Sequence, residues 1–162
     1  MILFKFLIPI AQHDMKNHSQ ETPRAAIVPT LYLKNLSGAI EFYKNAFDAK
    51  ERWRIDHEGS VHVAEMSIPP AIFRMHEEVS RDGDLSPSTL NATTIVIGLL
   101  VDDPDKLAAR AIAAGATELS PVQDYEYGYR QGTISDPFGH HWCLERLDDL
   151  YKVPSMAEEG RG

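Results

Sequence analysis

The sequence predicts an α+β fold of two tandem β-α-β-β-β modules that share one core. Three observations predict it. Two apolar stripes repeat at helical spacing, one through Leu36, Ile40, Tyr43 and Phe47, the other through Leu107, Ala111 and Ala114. Each stripe follows one extended run and precedes three more. The two halves superimpose at a spacing of 67 residues, so that Leu33 meets Leu100, Ile40 meets Leu107, and Asp48-Ala49 meets Gly115-Ala116. Finally, Thr133 to Glu145 reads as strand, tight turn, strand around Asp136-Pro137-Phe138-Gly139, a run of turn formers that closes the second module.

In the first module, residues 26–33 are the opening strand, with Pro29 placing it at an edge or at the strand's start. Asn35 or Ser37 caps a helix over 36–47. Residues 51–56 extend, His57-Glu58-Gly59 turns, and 61–68 return. Pro69-Pro70 breaks the chain before an extended run over 71–77. Asp82-Gly83-Asp84 and Ser86-Pro87-Ser88 mark 79–91 as a linker. The second module opens with a β-branched strand over 93–101. Asp102-Asp103-Pro104 starts its helix, and Gly115 suits the helix end. Residues 118–124 and 127–135 extend, and His140 to Arg146 closes the sheet. The expected organisation is an arm over 1–24, a domain over 25–147 (modules 25–78 and 92–147), and a tail over 148–162.

A chain of 162 residues with net charge −8 suits one domain and argues against nucleic acid or anionic membrane as partner. The apolar stretch Met1 to Ile10 is too short to span a membrane and lacks the flanks of a secretory leader. The single cysteine, Cys143, forms no internal disulfide, which fits a reducing, cytoplasmic setting. No phosphate loop, nucleophile elbow or zinc-finger spacing is present.

Three groups of residues carry a family resemblance. Leu31-Tyr-Leu-Lys-Asn-Leu36 stands with Ala39-Ile-Glu-Phe-Tyr-Lys-Asn-Ala-Phe47. Val101-Asp-Asp-Pro-Asp105 stands with Ala113-Ala-Gly-Ala116. Tyr129-Arg-Gln-Gly-Thr133 stands with Asp136-Pro-Phe-Gly-His-His-Trp142. Over about residues 25–147 the chain resembles the vicinal oxygen chelate superfamily of glyoxalases, bleomycin-resistance proteins and extradiol dioxygenases, and more narrowly its PhnB-like branch. The resemblance implies a curved mixed sheet around a cleft, helices on the outer face, and a homodimer. It also implies His or Glu/Gln metal ligands on cleft-facing strand positions, because imidazole and oxygen donors suit divalent ions. Here those positions fall near Val28, near Val96, on Cys143, and near Arg74 to His76. Two valines cannot ligate, so the expectation is a cleft without the usual metal centre. If a metal is held, its donors are His76, Glu77 and His141.

The expected cleft holds Thr30, Tyr32, Arg74 and His76 from the first module. From the second it holds Gly98, Tyr127, Tyr129, His141 and Cys143. For His76 the plain alternative is a polar strand end, and for Cys143 a small buried hydrophobe. His140 supports the turn while His141 faces the cleft, because strand neighbours point oppositely. Tyr125, Tyr127 and Tyr129, at period two beside Arg130, line a pocket wall or pack a sheet edge. Two functions follow: a metal-free module that binds a small organic molecule, cationic or aromatic, or a metal-dependent lyase or dioxygenase with relocated ligands.

Overall fold

The computed structural model describes residues 26–147. The arm over 1–24 and the tail over 148–162 lie outside the described residues. Module one runs β1 (Thr30–Leu33), α1 (Leu36–Phe47), β2 (Lys50–His57), β3 (Ser60–Ile68) and β4 (Ala71–Glu77). After a short helix α2 (Pro87–Leu90), module two runs β5 (Val96–Leu100), α3 (Pro104–Ala113), β6 (Thr117–Tyr125), β7 (Tyr129–Ser135) and β8 (His141–Leu147). The strand orders are β1-β4-β3-β2 and β5-β8-β7-β6, each with one parallel pair and two antiparallel pairs. The sheet expected around a cleft is thus built as two four-stranded halves of identical topology.

The local chemistry explains the helices. The Asn35 side chain accepts the Gly38 N–H at 2.9 Å, and the Asp103 carboxylate accepts that of Lys106 at 2.9 Å, each filling an orphan donor of the first turn. Asp48 ends α1 at φ 55°, and Gly115 stands in the matching place at φ 112°. Each helix lies on one face of its own sheet and α1 packs on α3. Leu31, Leu33, Met66, Met75, Leu99, Ile134, Trp142 and Leu144 fill the space beneath them.

The repeat is not a uniform shift of 67. Leu33 is fully buried, whereas Leu100 is 66% exposed, so these two are not equivalent. Ladder register matches Thr30 with Val96, since they oppose Arg74 and His141, and so matches Leu33 with buried Leu99. The buried helix positions Ala39, Ile40 and Tyr43 match Leu107, Ala108 and Ala111. The shift is therefore 66 in the first strands, 68 in the helices, and 67 in the last strands. Between the matched positions Leu33 and Leu99 and the helix starts, module two has two extra residues, one of them Leu100 at the end of β5, and the helix ends absorb one. The opening strands are also shorter than expected: Val28 precedes β1, and Pro29 contributes only its carbonyl, which accepts from Arg74 N at 2.8 Å. The linker carries structure too. Glu78 accepts from Ser86 N, Ser86 Oγ and Thr89 Oγ1, and Val79 bridges Asp84.

The turn between β7 and β8 locks the modules together. The carboxylate of Asp136 is buried and accepts four hydrogen bonds: Tyr43 Oη at 2.6 Å, Trp142 Nε1 at 3.0 Å, and the N–H groups of Phe138 at 3.0 Å and His140 at 2.9 Å. Burial, with Asp136 alongside, pushes the Tyr43 hydroxyl well above its ordinary pKa. The Trp142 ring packs on Phe47, Tyr43 and Phe73 at centroid distances of 4.9, 5.6 and 5.8 Å. His140 Nε2 meets the Tyr32 carbonyl at 3.2 Å, covering the free edge of β1. Every one of these partners outside the turn and Trp142 belongs to module one.

Candidate functional site

With the helices on one face of each sheet, the opposite face is left for function. Ladder register gives its rows. In module one, Thr30, Arg74, Glu65 and Trp53 form one row, and Tyr32, His76, Val63 and Ile55 form the next. In module two, Val96, His141 and Ser135 form one row, and Gly98, Cys143 and Thr133 form the next. The expected cleft residues other than Tyr127 therefore occupy open faces. Thr30, Tyr32, Arg74 and His76 sit together on one sheet, and Gly98, Tyr129, His141 and Cys143 on the other.

The two faces differ in chemistry. On module one the Tyr32 and His76 rings lie 5.8 Å apart. Burial and the nearby Asp84 of the connector raise the Tyr32 pKa. Glu65 is 4% exposed and takes Arg52 Nη1 on one oxygen at 2.8 Å and Arg74 Nε on the other at 3.0 Å. Burying a carboxylate is costly without such partners. Sequence reading missed Glu65 and Arg52. Glu65 stands in an ordinary-looking strand, and Arg52 reaches this face only because a β-bulge lies between Glu51 and Trp53.

On module two the three tyrosines gather differently from a single strand face. Tyr125 and Tyr129 oppose each other across the β6–β7 hairpin, and Tyr127 stands in its turn. Their rings line up, Tyr125 stacked on Tyr127 at 5.0 Å and Tyr127 tilted against Tyr129 at 6.1 Å. Burial, then Tyr125, Cys143 and Glu145, raises the Tyr127 pKa. Arg130 departs to the helix side, where it binds Asp105 through Nε at 2.7 Å and Nη2 at 2.6 Å. Cys143 is half-buried, with Sγ 3.7 Å from Glu145 Oε2, and burial followed by Glu145 pushes the thiol up. A raised thiol is a poor nucleophile and a poor metal ligand. Gly98 leaves room for Glu145, whose Oε1 would lie 3.1 Å from an added Cβ.

The donors do not fit the metal centre that the resemblance implies. Thr30, rather than Val28, matches Val96 in register, and neither Val28 nor Val96 can ligate. His76 turns Nδ1 to the Glu77 carbonyl at 2.7 Å, while the Glu77 carboxylate binds His62 at 2.9 Å. His141 belongs to the other sheet. Among the described residues, no three His, Cys, Asp or Glu side chains gather into a metal-holding group. Between the modules, on the helix side, an apolar groove of about 390 Å³ is lined by Pro29, Ile68, Phe73, Ile97, Leu99 and Trp142 among others. None of its lining residues titrates.

Comparison with known proteins agrees with this architecture. A family model described as Glyoxalase/Bleomycin resistance protein/Dioxygenase superfamily matches residues 26–144. The chain is 35% identical over 145 residues to Uncharacterized protein Rv0887c of Mycobacterium tuberculosis, a match covering 83% of this chain and 85% of that one. Among solved structures it is similar to TioX from Micromonospora sp. ML1, with 24% identity, TM-score 0.60, and coverage of 75% of this chain and 95% of that one. It is also similar to a gene product of Arabidopsis thaliana, with 25% identity, TM-score 0.59, and coverage of 75% and 98%.

Proposed function

The chain belongs to the glyoxalase/bleomycin resistance protein/dioxygenase superfamily, and on that premise we propose that its open faces form a cleft that binds a small organic molecule without the usual metal centre. The observation that carries this reading is the composition of the two faces. Aromatic rings, aliphatic side chains and already paired ions stand where a convergent set of metal donors would be needed. Such a surface offers the area and orientation that binding a small molecule requires.

We place the chain in the PhnB-like branch on the residues that carry the resemblance, as a cytoplasmic homodimer. Dimerisation is supported by apolar side chains that the single chain leaves uncovered: Leu100 at 66% exposure, Ile95 at 59% and Val96 at 53%. Sedimentation should give twice the chain mass, and Leu100→Asp should reduce it to one.

The test of metal-free binding is elemental analysis of protein purified with added zinc, manganese or iron, beside a His76→Ala variant, followed by thermal-shift screening of small molecules. No stoichiometric metal in either protein, with a saturable shift by an organic compound, is expected. Stoichiometric metal that disappears in His76→Ala would overturn this reading in favour of a lyase or dioxygenase with relocated ligands.

A further inference from the structure

Resting on that reading, we propose that the open face of module one receives the anionic end of the ligand, a carboxylate or phosphoryl group, between Arg52 and Arg74. The argument begins at Glu65. One bidentate guanidinium would satisfy a buried carboxylate, using two N–H groups of one arginine. Here two arginines each give it a single nitrogen, Nη1 from Arg52 and Nε from Arg74, on separate oxygens. Each guanidinium carries five N–H donors. Among the described residues neither makes another hydrogen bond, and their side chains remain 50% and 49% exposed. Glu65 thus works as a spacer. It draws two guanidiniums together, fixes their orientation, and leaves most of their donors free.

The charge agrees. Two cations share one anion, so the cluster carries excess positive charge on a protein of net charge −8. Of the acids on this face, Glu77 is engaged with His62 and Asp84 lies beside Tyr32 in the next row, while Glu51 is drawn to Lys44 on the helix side. Convergent, preoriented guanidiniums are the usual device for planar recognition of carboxylate and phosphate. Trp53 lies in the same ladder row as Glu65 and Arg74, and Ile55 is in the next row. They are 40% and 38% exposed, an apolar wall beside the charge. The face therefore selects an organic anion with a flat apolar body. The same place in module two carries Ser135 and His141 in place of Glu65 and Arg74, so the cluster belongs to one repeat only.

The molecule supplies its own probe. It has two tryptophans, Trp53 on this face and Trp142 at 2% exposure in the core. Intrinsic fluorescence is followed while full-length protein is titrated with benzoate, phenyl phosphate and, as a cationic control, benzylamine. At least one anion should give a saturable change, and which one binds more tightly separates carboxylate from phosphoryl. Arg52→Gln and Arg74→Gln should each weaken binding about tenfold or more, and each leaves Glu65 one cationic partner, so folding is retained. Trp53→Phe should silence the signal while calorimetry still detects binding. Failure of both anions to saturate, or anion affinity undiminished from the wild-type value in both arginine variants, overturns the assignment. Benzylamine binding in that case would leave the small-molecule reading standing while removing this one.

Discussion

The β7–β8 turn of module two and the β3–β4 turn of module one occupy matching places in the repeat, yet they are built for different work. The first carries Asp136, whose carboxylate joins Tyr43, Trp142 and its own turn, and His140, which reaches the edge of β1. The second is Pro69-Pro70, exposed and without such a side chain, and its neighbours Ile68 and Ala71 border the apolar groove. The open faces diverge in the same way, with a guanidinium pair on module one and stacked tyrosines beside Cys143 and Glu145 on module two. A duplicated fold keeps its ladder and its helix packing in both copies. The polar devices that join the copies can then be concentrated in one of them.

Breaking the Asp136 hub should have the largest effect. Asp136→Ala strands a hydroxyl, an indole N–H and two backbone N–H groups, and should cost about 3–5 kcal/mol in urea denaturation. Tyr43→Phe removes one of the four bonds and should cost about 1.5–3 kcal/mol. In module one Ala71→Ser, at the first residue after the Pro69-Pro70 turn, should stay within about 0.5 kcal/mol. A large loss there would erase the contrast between the turns. Next comes Gly132→Ala. The new Cβ would lie 2.8 Å from Val122 N across the β6 irregularity, an overpacking cost of about 1–3 kcal/mol. In module one the equivalent place tolerates a side chain, His62, bound to Glu77.

Smaller effects come from pH. Burial pushes His140 below its ordinary pKa, against the opposing pull of Asp136 and the Tyr32 carbonyl. The unfolded chain then binds the proton more readily. Stability is whole above about pH 6.5 and declines as pH falls from there toward the folded value. His140→Gln should flatten that part of a stability–pH curve. The smallest effect belongs to Glu78, which Ser86 and Thr89 hold at about 2 against an ordinary 4.5. Its contribution is present above pH 4.5 and is lost as pH falls toward 2. Glu78→Gln should remove that acid limb and leave the His140 limb intact.

Much of the fold was legible because its signals are local. The stripe over 36–47, the extended run over 71–77 and the turn at Asp136 were all read within their own residues, and the structure places them at the same bounds. The register of the opening strands was not legible. Ile95 to Leu100 is an almost unbroken apolar run, so nothing in it says which residues face the helices, and a one-residue slip paired Leu33 with exposed Leu100. The tyrosines misled for a related reason. Period two suggests a strand face, but the chain reverses at Tyr127. The Arg52–Glu65–Arg74 cluster depends on a bulge and on pairing across three strands, and neither leaves a mark in any one segment.

The tie between Tyr43 and Asp136 spans 93 positions, and Trp142 lies further on still. Seen from the ribosome, this sets a schedule. At about 5–20 residues per second, roughly 5–20 s pass between the emergence of Tyr43 and that of its partner. During that interval the rings of Tyr43, Phe47 and Phe73 have a sheet beside them and no indole to close over them. The nascent first half is a waiting template rather than a finished domain. A chain truncated before β8 would present that aromatic cluster to the cell as a sticky, incomplete product.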